Sequence, residues 1–140
     1  MSNTSYKRGL SPHRILHSML RVADLAMSED FYCQALGMTV QRKQDYPDGQ
    51  FTLVFLGYGN EANSTVLELT HNWSQKTYAR GDAYGHLALA VTDVYAACEH
   101  LATLDVEISR PPGPMKADPA EIIAFIVDPD GYQIELIQRA

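Results

Sequence analysis

The chain has 140 residues, of which 46% are apolar and 20% charged, and its formal net charge is −6. This composition predicts one compact unit with one core, and the longest central apolar run, residues 122–127, is too short to span a bilayer. The acidic balance, without clustered Lys or Arg, argues against nucleic acid or an anionic membrane as partner. Cys33 and Cys98 lack metal-type spacing, which fits a reducing compartment, so we expect a cytoplasmic protein.

The first half of the chain is expected to follow a leader, residues 1–13, which is polar and lacks the apolar segment of a secretory signal. We predict that this leader is disordered. Asp24 is suited to start a helix whose apolar residues recur at helical spacing, and Gly37 is suited to end it. Apolar and alternating runs predict four strands around this helix. These strands are residues 14–22, 38–45, 51–58 and 65–70.

The second half of the chain repeats this order of elements. Asp93 opens a helix through Leu104, and the sequence Asp-Pro-Asp-Gly at 128–131 favours a type I turn that joins the last two strands into a hairpin. The predicted strands are residues 86–91, 106–109, 121–127 and 132–138. The self-similarity predicts a duplicated βαβββ unit, with modules at residues 14–83 and 84–140.

Four ionisable side chains occupy equivalent positions in the two halves. His17 and His86 lie in the first strand of each half, in segments that align without gaps, and Glu68 and Glu135 lie inside the last strands. A glutamate in an apolar strand is either at a solvated edge or held by a cation. The repetition favours the cation, because two neutral imidazoles and two carboxylates balance a divalent charge. With no sulfur ligand, the set suits Zn²⁺, Ni²⁺ or Co²⁺.

These residues lie in motifs that resemble glyoxalase I (lactoylglutathione lyase), of the vicinal oxygen chelate superfamily. The motifs, within residues 14–138, are HSMLRV, FYCQALGM, FTLVFLGYG, VLELTHNW, YGHLALAV and DPDGYQIEL. The resemblance implies an α+β fold in which two tandem βαβββ modules form curved mixed sheets around a metal site. It also implies an enzyme that isomerises the hemithioacetal of methylglyoxal and glutathione to S-lactoylglutathione through an enediolate, which detoxifies methylglyoxal.

The resemblance further implies how the repeated residues act. One divalent ion per site would be held by His17, Glu68, His86 and Glu135. Glu135 would be the main catalytic base, with Glu68 as a second base. Ni²⁺ or Co²⁺ is favoured over Zn²⁺, because short members of the family are typically nickel-activated. The resemblance also implies a twofold homodimer in which the first pair of one subunit meets the second pair of the other.

Substrate contacts are expected from Arg21, Asn72 and Lys116. Arg21 lies on the strand face of the first histidine, and its guanidinium can bind a carboxylate bidentately. The resemblance implies that Arg21 and Asn72 hold the γ-glutamyl end of glutathione. Lys116, in the loop at residues 111–119, is the candidate for the glycyl carboxylate, with the alternative that this loop is only a connection. Some longer relatives carry an arginine four residues before the third metal ligand, and this sequence has Asp82 there, which cannot bind a carboxylate.

Other functions remain open at the level of sequence. An acyl-CoA epimerase or an antibiotic-modifying thiol transferase of the same superfamily would keep the metal site. A metal-free protein that binds small molecules would not need four ligands at matched positions. Glu68 favours the lyase over the epimerase, because epimerase relatives usually carry glutamine at that ligand.

Overall fold

Two four-stranded sheets, one from each half of the chain, form the fold in the computed structural model, which describes residues 5–140. The strands of the first sheet are β1 His17–Arg21, β2 Thr39–Tyr46, β3 Phe51–Gly57 and β4 Val66–Asn72. The strands of the second sheet are β5 His86–Val91, β6 Ile108–Pro114, β7 Ile122–Val127 and β8 Gln133–Gln138. The helices are α1 Leu25–Asp30, which continues as a π-helical segment Phe31–Ala35, and α2 Val94–Thr103.

The two sheets have equivalent topologies. The strand order is β1-β4-β3-β2 in the first and β5-β8-β7-β6 in the second. In each sheet the first and last strands of the half are parallel neighbours, and the other neighbours are antiparallel. The predicted α+β fold with two tandem βαβββ units in mixed sheets is confirmed. Because the first and last strands are neighbours, this topology brings the histidine and the glutamate of each half together.

Both predicted helix starts are confirmed, but the first helix differs from the prediction. Asp24 and Asp93 each accept a hydrogen bond from the backbone N–H three residues later, at 3.1 Å. The α-helix that was predicted to continue towards Gly37 changes to π-helical hydrogen bonding at Phe31–Ala35. Apolar spacing gives no signal for this change, because π-helical turns are rare and occur as single turns within α-helices. Gly37 has φ +73°, as expected for a residue that ends a helix.

Strand β6 is longer than predicted. It was predicted over residues 106–109, and the prolines that follow cannot donate a hydrogen bond to a neighbouring strand. The strand nevertheless runs Ile108–Pro114, since β6 is an edge strand and its pairing with β7 is irregular on both sides of Arg110.

The first strand is shorter than predicted and begins at His17. Residues 5–16, before it, contain neither helix nor strand. Residues 1–4 of the expected leader lie outside the described part of the chain, and disorder of the leader stays a prediction.

The two halves share one hydrophobic core. Its buried side chains include Leu20 and Tyr32 from the first half and Leu101 and Ile126 from the second. Burial of this apolar surface, at about 25 cal/mol per Å², is the main force that holds the halves together. The relative position of the two sheets therefore depends on packing that spans the whole chain.

A turn of the second half also makes polar contacts with the first half. The predicted turn at 128–131 is confirmed by a hydrogen bond from Gly131 N to Asp128 O of 3.0 Å. Asp128 accepts a 2.6 Å hydrogen bond from the buried Tyr32 hydroxyl. Asp130 accepts hydrogen bonds from Ala23 N at 2.9 Å and Ser28 Oγ at 3.2 Å. These contacts fix the β7–β8 turn against the start of α1.

We expect Tyr32→Phe to lower the free energy of unfolding by about 1–3 kcal/mol, because the buried Asp128 carboxylate loses a hydrogen-bond donor. Burial raises the pKa of Asp128, and the Tyr32 hydrogen bond opposes that rise. The bond therefore stabilises the charged carboxylate, and its contribution is lost as pH falls through this pKa.

Chemical denaturation at neutral and acidic pH measures both effects of this substitution. Tyr95→Phe is the matched control, because Tyr95 lies on α2 with 48% of its surface exposed. An equal loss of stability in the two variants would contradict the assigned role of the Tyr32 hydroxyl.

Candidate metal centre

The first histidine–glutamate pair lies on one face of the first sheet. His17 is on β1, and Glu68 on the neighbouring strand β4, where it is in register with Met19. The distance from His17 Nε2 to Glu68 Oε1 is 3.7 Å. The imidazole is 38% exposed and the carboxylate 13% exposed. The two donors are thus close together, and the imidazole is open to a ligand from outside the sheet.

The second pair repeats this geometry on the second sheet. His86 begins β5, and Glu135 lies on β8 in register with Ala88. His86 Nε2 and Glu135 Oε1 are 3.1 Å apart, with side-chain exposures of 40% and 13%. The matched distances and exposures agree with the duplication predicted from the sequence.

A phenylalanine contacts the histidine in each half, and sequence analysis missed both. The ring centroids of His17 and Phe55 are 5.3 Å apart, and those of His86 and Phe125 are 5.1 Å apart, with the rings nearly perpendicular. Phe55 and Phe125 are each in register with the glutamate of their half. These edge contacts restrict the rotation of the imidazoles. The FTLVF and IIAFI segments carried the signal, because the phenylalanines occupy equivalent strands of the repeat.

The four donors do not meet within one chain. Among residues 5–140, no group of three or more His, Cys, Asp or Glu side chains is close enough to hold a metal ion. Each half instead presents one imidazole nitrogen and one carboxylate oxygen on the same face. The chemistry of this donor set fits a divalent cation if two such pairs face each other. The assignment of His17, Glu68, His86 and Glu135 as ligands stays a prediction.

The three expected substrate-binding residues lie in different surroundings. Arg21 is the exposed last residue of β1. Asn72 ends β4, and its amide donates a 3.1 Å hydrogen bond to the hydroxyl of Tyr78. Lys116 lies on the exposed turn between β6 and β7. Arg21 and Asn72 lie at the same ends of adjoining strands, while the contact expected of Lys116 has no further support.

The environment of the two thiols does not favour the thiolate form that a metal ligand or a nucleophile needs. Cys98 is buried, Cys33 is half-buried, and both are free. Burial raises the pKa of both thiols, so they remain protonated near neutral pH.

Within residues 5–140, no helix has the length and apolar character needed to cross a membrane.

Comparison with known proteins identifies the relatives of this chain. Residues 14–136 match the model of the Glyoxalase/Bleomycin resistance protein/Dioxygenase superfamily. A lactoylglutathione lyase of Neisseria meningitidis is 54% identical over 126 residues, which cover 90% of this chain and 91% of that protein.

Solved structures extend the likeness to three dimensions. Glyoxalase I from Zea mays superposes with a TM-score of 0.87 at 43% identity, covering 91% of this chain; the chain spans only 45% of the maize protein. The trypanothione-dependent glyoxalase I of Leishmania major superposes with a TM-score of 0.81 at 46% identity, covering 91% of this chain and 87% of that one.

Proposed function

This chain belongs to the Glyoxalase/Bleomycin resistance protein/Dioxygenase superfamily. From that premise, we propose that it isomerises the hemithioacetal of methylglyoxal and glutathione to S-lactoylglutathione. Its activity is that of a lactoylglutathione lyase. The observation that carries the proposal is the repeated histidine–glutamate pair, at 3.7 Å in the first half and 3.1 Å in the second. Identity of 54% to a lactoylglutathione lyase over 90% of the chain supports it.

The reaction moves one proton between adjacent carbons. Glu135 removes the proton from the carbon that bears sulfur, which leaves an enediolate, and returns it to the neighbouring carbon, the former ketone. The hydroxyl proton on the sulfur-bearing carbon moves to the oxygen of the former ketone, so the carbonyl group ends next to sulfur and the product is a thioester of the same atomic composition. Glu68, on the equivalent strand of the other half, is proposed as the second base. No electrons leave the substrate, so no redox partner is needed.

A divalent cation is proposed to bind to His17, Glu68, His86 and Glu135. When bound, it would stabilise the negative charge that develops on the two substrate oxygens. The imidazoles of His17 and His86 are exposed, so a metal ion can reach them from solvent. The nearly perpendicular phenylalanine rings hold these imidazoles in orientation. Family membership supports a metal-dependent activity.

Two such pairs are proposed to meet in a twofold homodimer. Each subunit would supply its first pair to one site and its second pair to the other, so that the dimer has two identical sites. The separation of the donors into two pairs within residues 5–140 supports this arrangement. The two free, buried or half-buried thiols support a location in the reducing cytoplasm.

The activity is tested by adding the purified protein to equilibrated methylglyoxal and glutathione and following formation of the thioester. Turnover is expected with divalent ions present. It should disappear after treatment with a chelator and return when metal is restored. Absence of thioester under all metal conditions would contradict the proposed function.

Activation by Ni²⁺ or Co²⁺ is expected to exceed activation by Zn²⁺. The resemblance to short family members is the reason, since imidazole and carboxylate ligands alone do not choose between these ions. The metal-free protein is loaded with one ion at a time, and bound metal and turnover rate are both measured. The highest rate with Zn²⁺, at equal metal content, would contradict this prediction.

A further inference from the structure

A pocket that contains two arginines lies at the end of β1. It has a volume of about 200 Å³, and Arg21 and Arg80 line it together with the hydroxyl-bearing rings of Tyr78, Tyr84 and Tyr132. Both halves of the chain and the segment between them contribute to it. The rings of Tyr84 and Tyr132 pack edge to face, with their centroids 5.9 Å apart. The Tyr132 hydroxyl donates a 2.7 Å hydrogen bond to Arg21 O. The walls are therefore held by contacts between distant segments.

The guanidinium of Arg80 has a defined position in this pocket. Its Nη1 donates a 2.7 Å hydrogen bond to Asp130 O in the β7–β8 turn. Gly131 adjoins it with φ +91°, and a Cβ at that position would lie 2.6 Å from Nη1 and 2.7 Å from Cζ of Arg80. Any other residue at 131 would displace the guanidinium. The turn that fixes α1 thus also leaves the space that Arg80 occupies.

Arg21 and Arg80 have no ion-pair partner among residues 5–140. The ion pairs of other cations are Arg42–Glu61, Lys43–Glu29 and Arg139–Glu121. In the part of the chain that the structure describes, no carboxylate lies within 4.0 Å of Arg21 or Arg80. Both side chains are exposed on a chain with net charge −6. Two unpaired guanidinium groups beside phenol hydroxyls form a site for an anion, and their planar geometry fits a carboxylate.

The pocket adjoins the face that carries the first metal-binding pair. Met19 lines the pocket and is in register with Glu68. The Asn72 amide, on the same strand as Glu68, donates a hydrogen bond to the hydroxyl of Tyr78. A single ligand whose reacting atoms lie near Glu68 would place an anionic group in this pocket. The substrate of the proposed reaction has this shape, because its thiol carries carboxylates away from the reacting carbons.

We propose that Arg80 is a specificity-determining residue, which binds a carboxylate of the thiol part of the substrate together with Arg21. This inference rests on the proposed function, and it adds a residue to which the sequence analysis gave no role. Arg80 lies two positions before Asp82, which stands where some longer relatives carry an arginine. In this chain Arg80 therefore supplies a positive charge from a nearby position of the same segment. Its hydrogen bond to Asp130 O leaves the remaining guanidinium N–H groups available to a carboxylate.

Binding of S-methylglutathione, measured by calorimetry, tests the proposal without turnover. Arg80→Gln is expected to weaken this binding by about tenfold, because one charge-assisted hydrogen bond is lost. Arg80→Lys should retain part of the affinity. The diethyl ester of S-methylglutathione, which has no free carboxylate, should bind the wild type and Arg80→Gln about equally. Arg139→Gln, which removes an arginine paired with Glu121, is the matched control and should leave both affinities unchanged.

Steady-state kinetics separates binding from chemistry. Arg80→Gln should raise KM for the glutathione hemithioacetal by about tenfold and leave kcat within about twofold, because the carboxylate that Arg80 is proposed to bind takes no part in the proton transfer. Equal weakening of S-methylglutathione and its diester, or no weakening of either, would overturn the role of Arg80. A wild-type protein that neither binds S-methylglutathione nor forms thioester would instead overturn the proposed function.

Discussion

Glu135→Gln is expected to abolish measurable turnover, with kcat lower by roughly three orders of magnitude or more, while part of the bound metal is retained. The amide keeps an oxygen that can bind a cation, but it cannot accept the proton that the isomerisation transfers. Glu135 is suited to this role because it is only 13% exposed and lies 3.1 Å from His86. A carboxylate in this position is withdrawn from bulk water yet remains on the open face of the sheet.

The measurement combines kcat with the metal content of the purified variant. Glu99→Gln is the matched control, because Glu99 is exposed on α2 and should tolerate the change. Near-normal turnover in Glu135→Gln would mean that the base is elsewhere. Loss of turnover together with all bound metal would assign Glu135 a ligand role only. Glu68→Gln, the second base, should lower kcat by a smaller factor.

Mixing two inactive variants is expected to restore activity if sites are shared between subunits. One chain carries His17→Ala with Glu68→Ala, and the other carries His86→Ala with Glu135→Ala. Each variant alone lacks two of four ligands in every site and should be inactive. A mixed dimer has one site with all four ligands and one with none. Random reassortment makes about half of the dimers mixed, so activity should recover to roughly a quarter of wild type.

A matched control uses two chains that are altered in the same half. Mixing His17→Ala with Glu68→Ala leaves every shared site with a defect, so that the rate of the mixture should not exceed those of the separate variants. Differently tagged chains show whether mixed dimers have formed. If they have formed and the first mixture stays inactive, each site lies within one chain. That result would conflict with the separation of the two donor pairs among residues 5–140.

The repeated pattern made the site predictable from sequence to the level of the two pairs. Strand alternation puts His17 and Met19 on one face of β1, the repeat singles out Glu68 in β4, and the register of Met19 with Glu68 places the glutamate on that face. The same holds for His86 and Glu135 in the second half. These are consequences of residue order along strands, which a sequence contains directly.

Contacts between segments far apart in the chain were not predictable. The hydroxyl of Tyr32 reaches Asp128, and the guanidinium of Arg80 lies against Gly131, but no local pattern relates these positions. The contact of Phe55 with His17 depends on a strand pairing that had to be known first. The length of edge strand β6 was underestimated for another reason. Proline is unfavourable in a strand only where a neighbouring strand needs its backbone N–H as a hydrogen-bond donor.

The contact between Tyr32 and Asp128 bears on how the chain acquires its structure during synthesis. The first half, which includes Tyr32, emerges from the ribosome before Asp128 has been translated. The buried Tyr32 hydroxyl therefore lacks its hydrogen-bond acceptor at that stage. Until the β7–β8 turn is made, the apolar side of α1 lacks the second-half side chains that cover it. The first half therefore exposes this apolar surface until the strands and turn of the second half have been translated, and its native packing is completed only then.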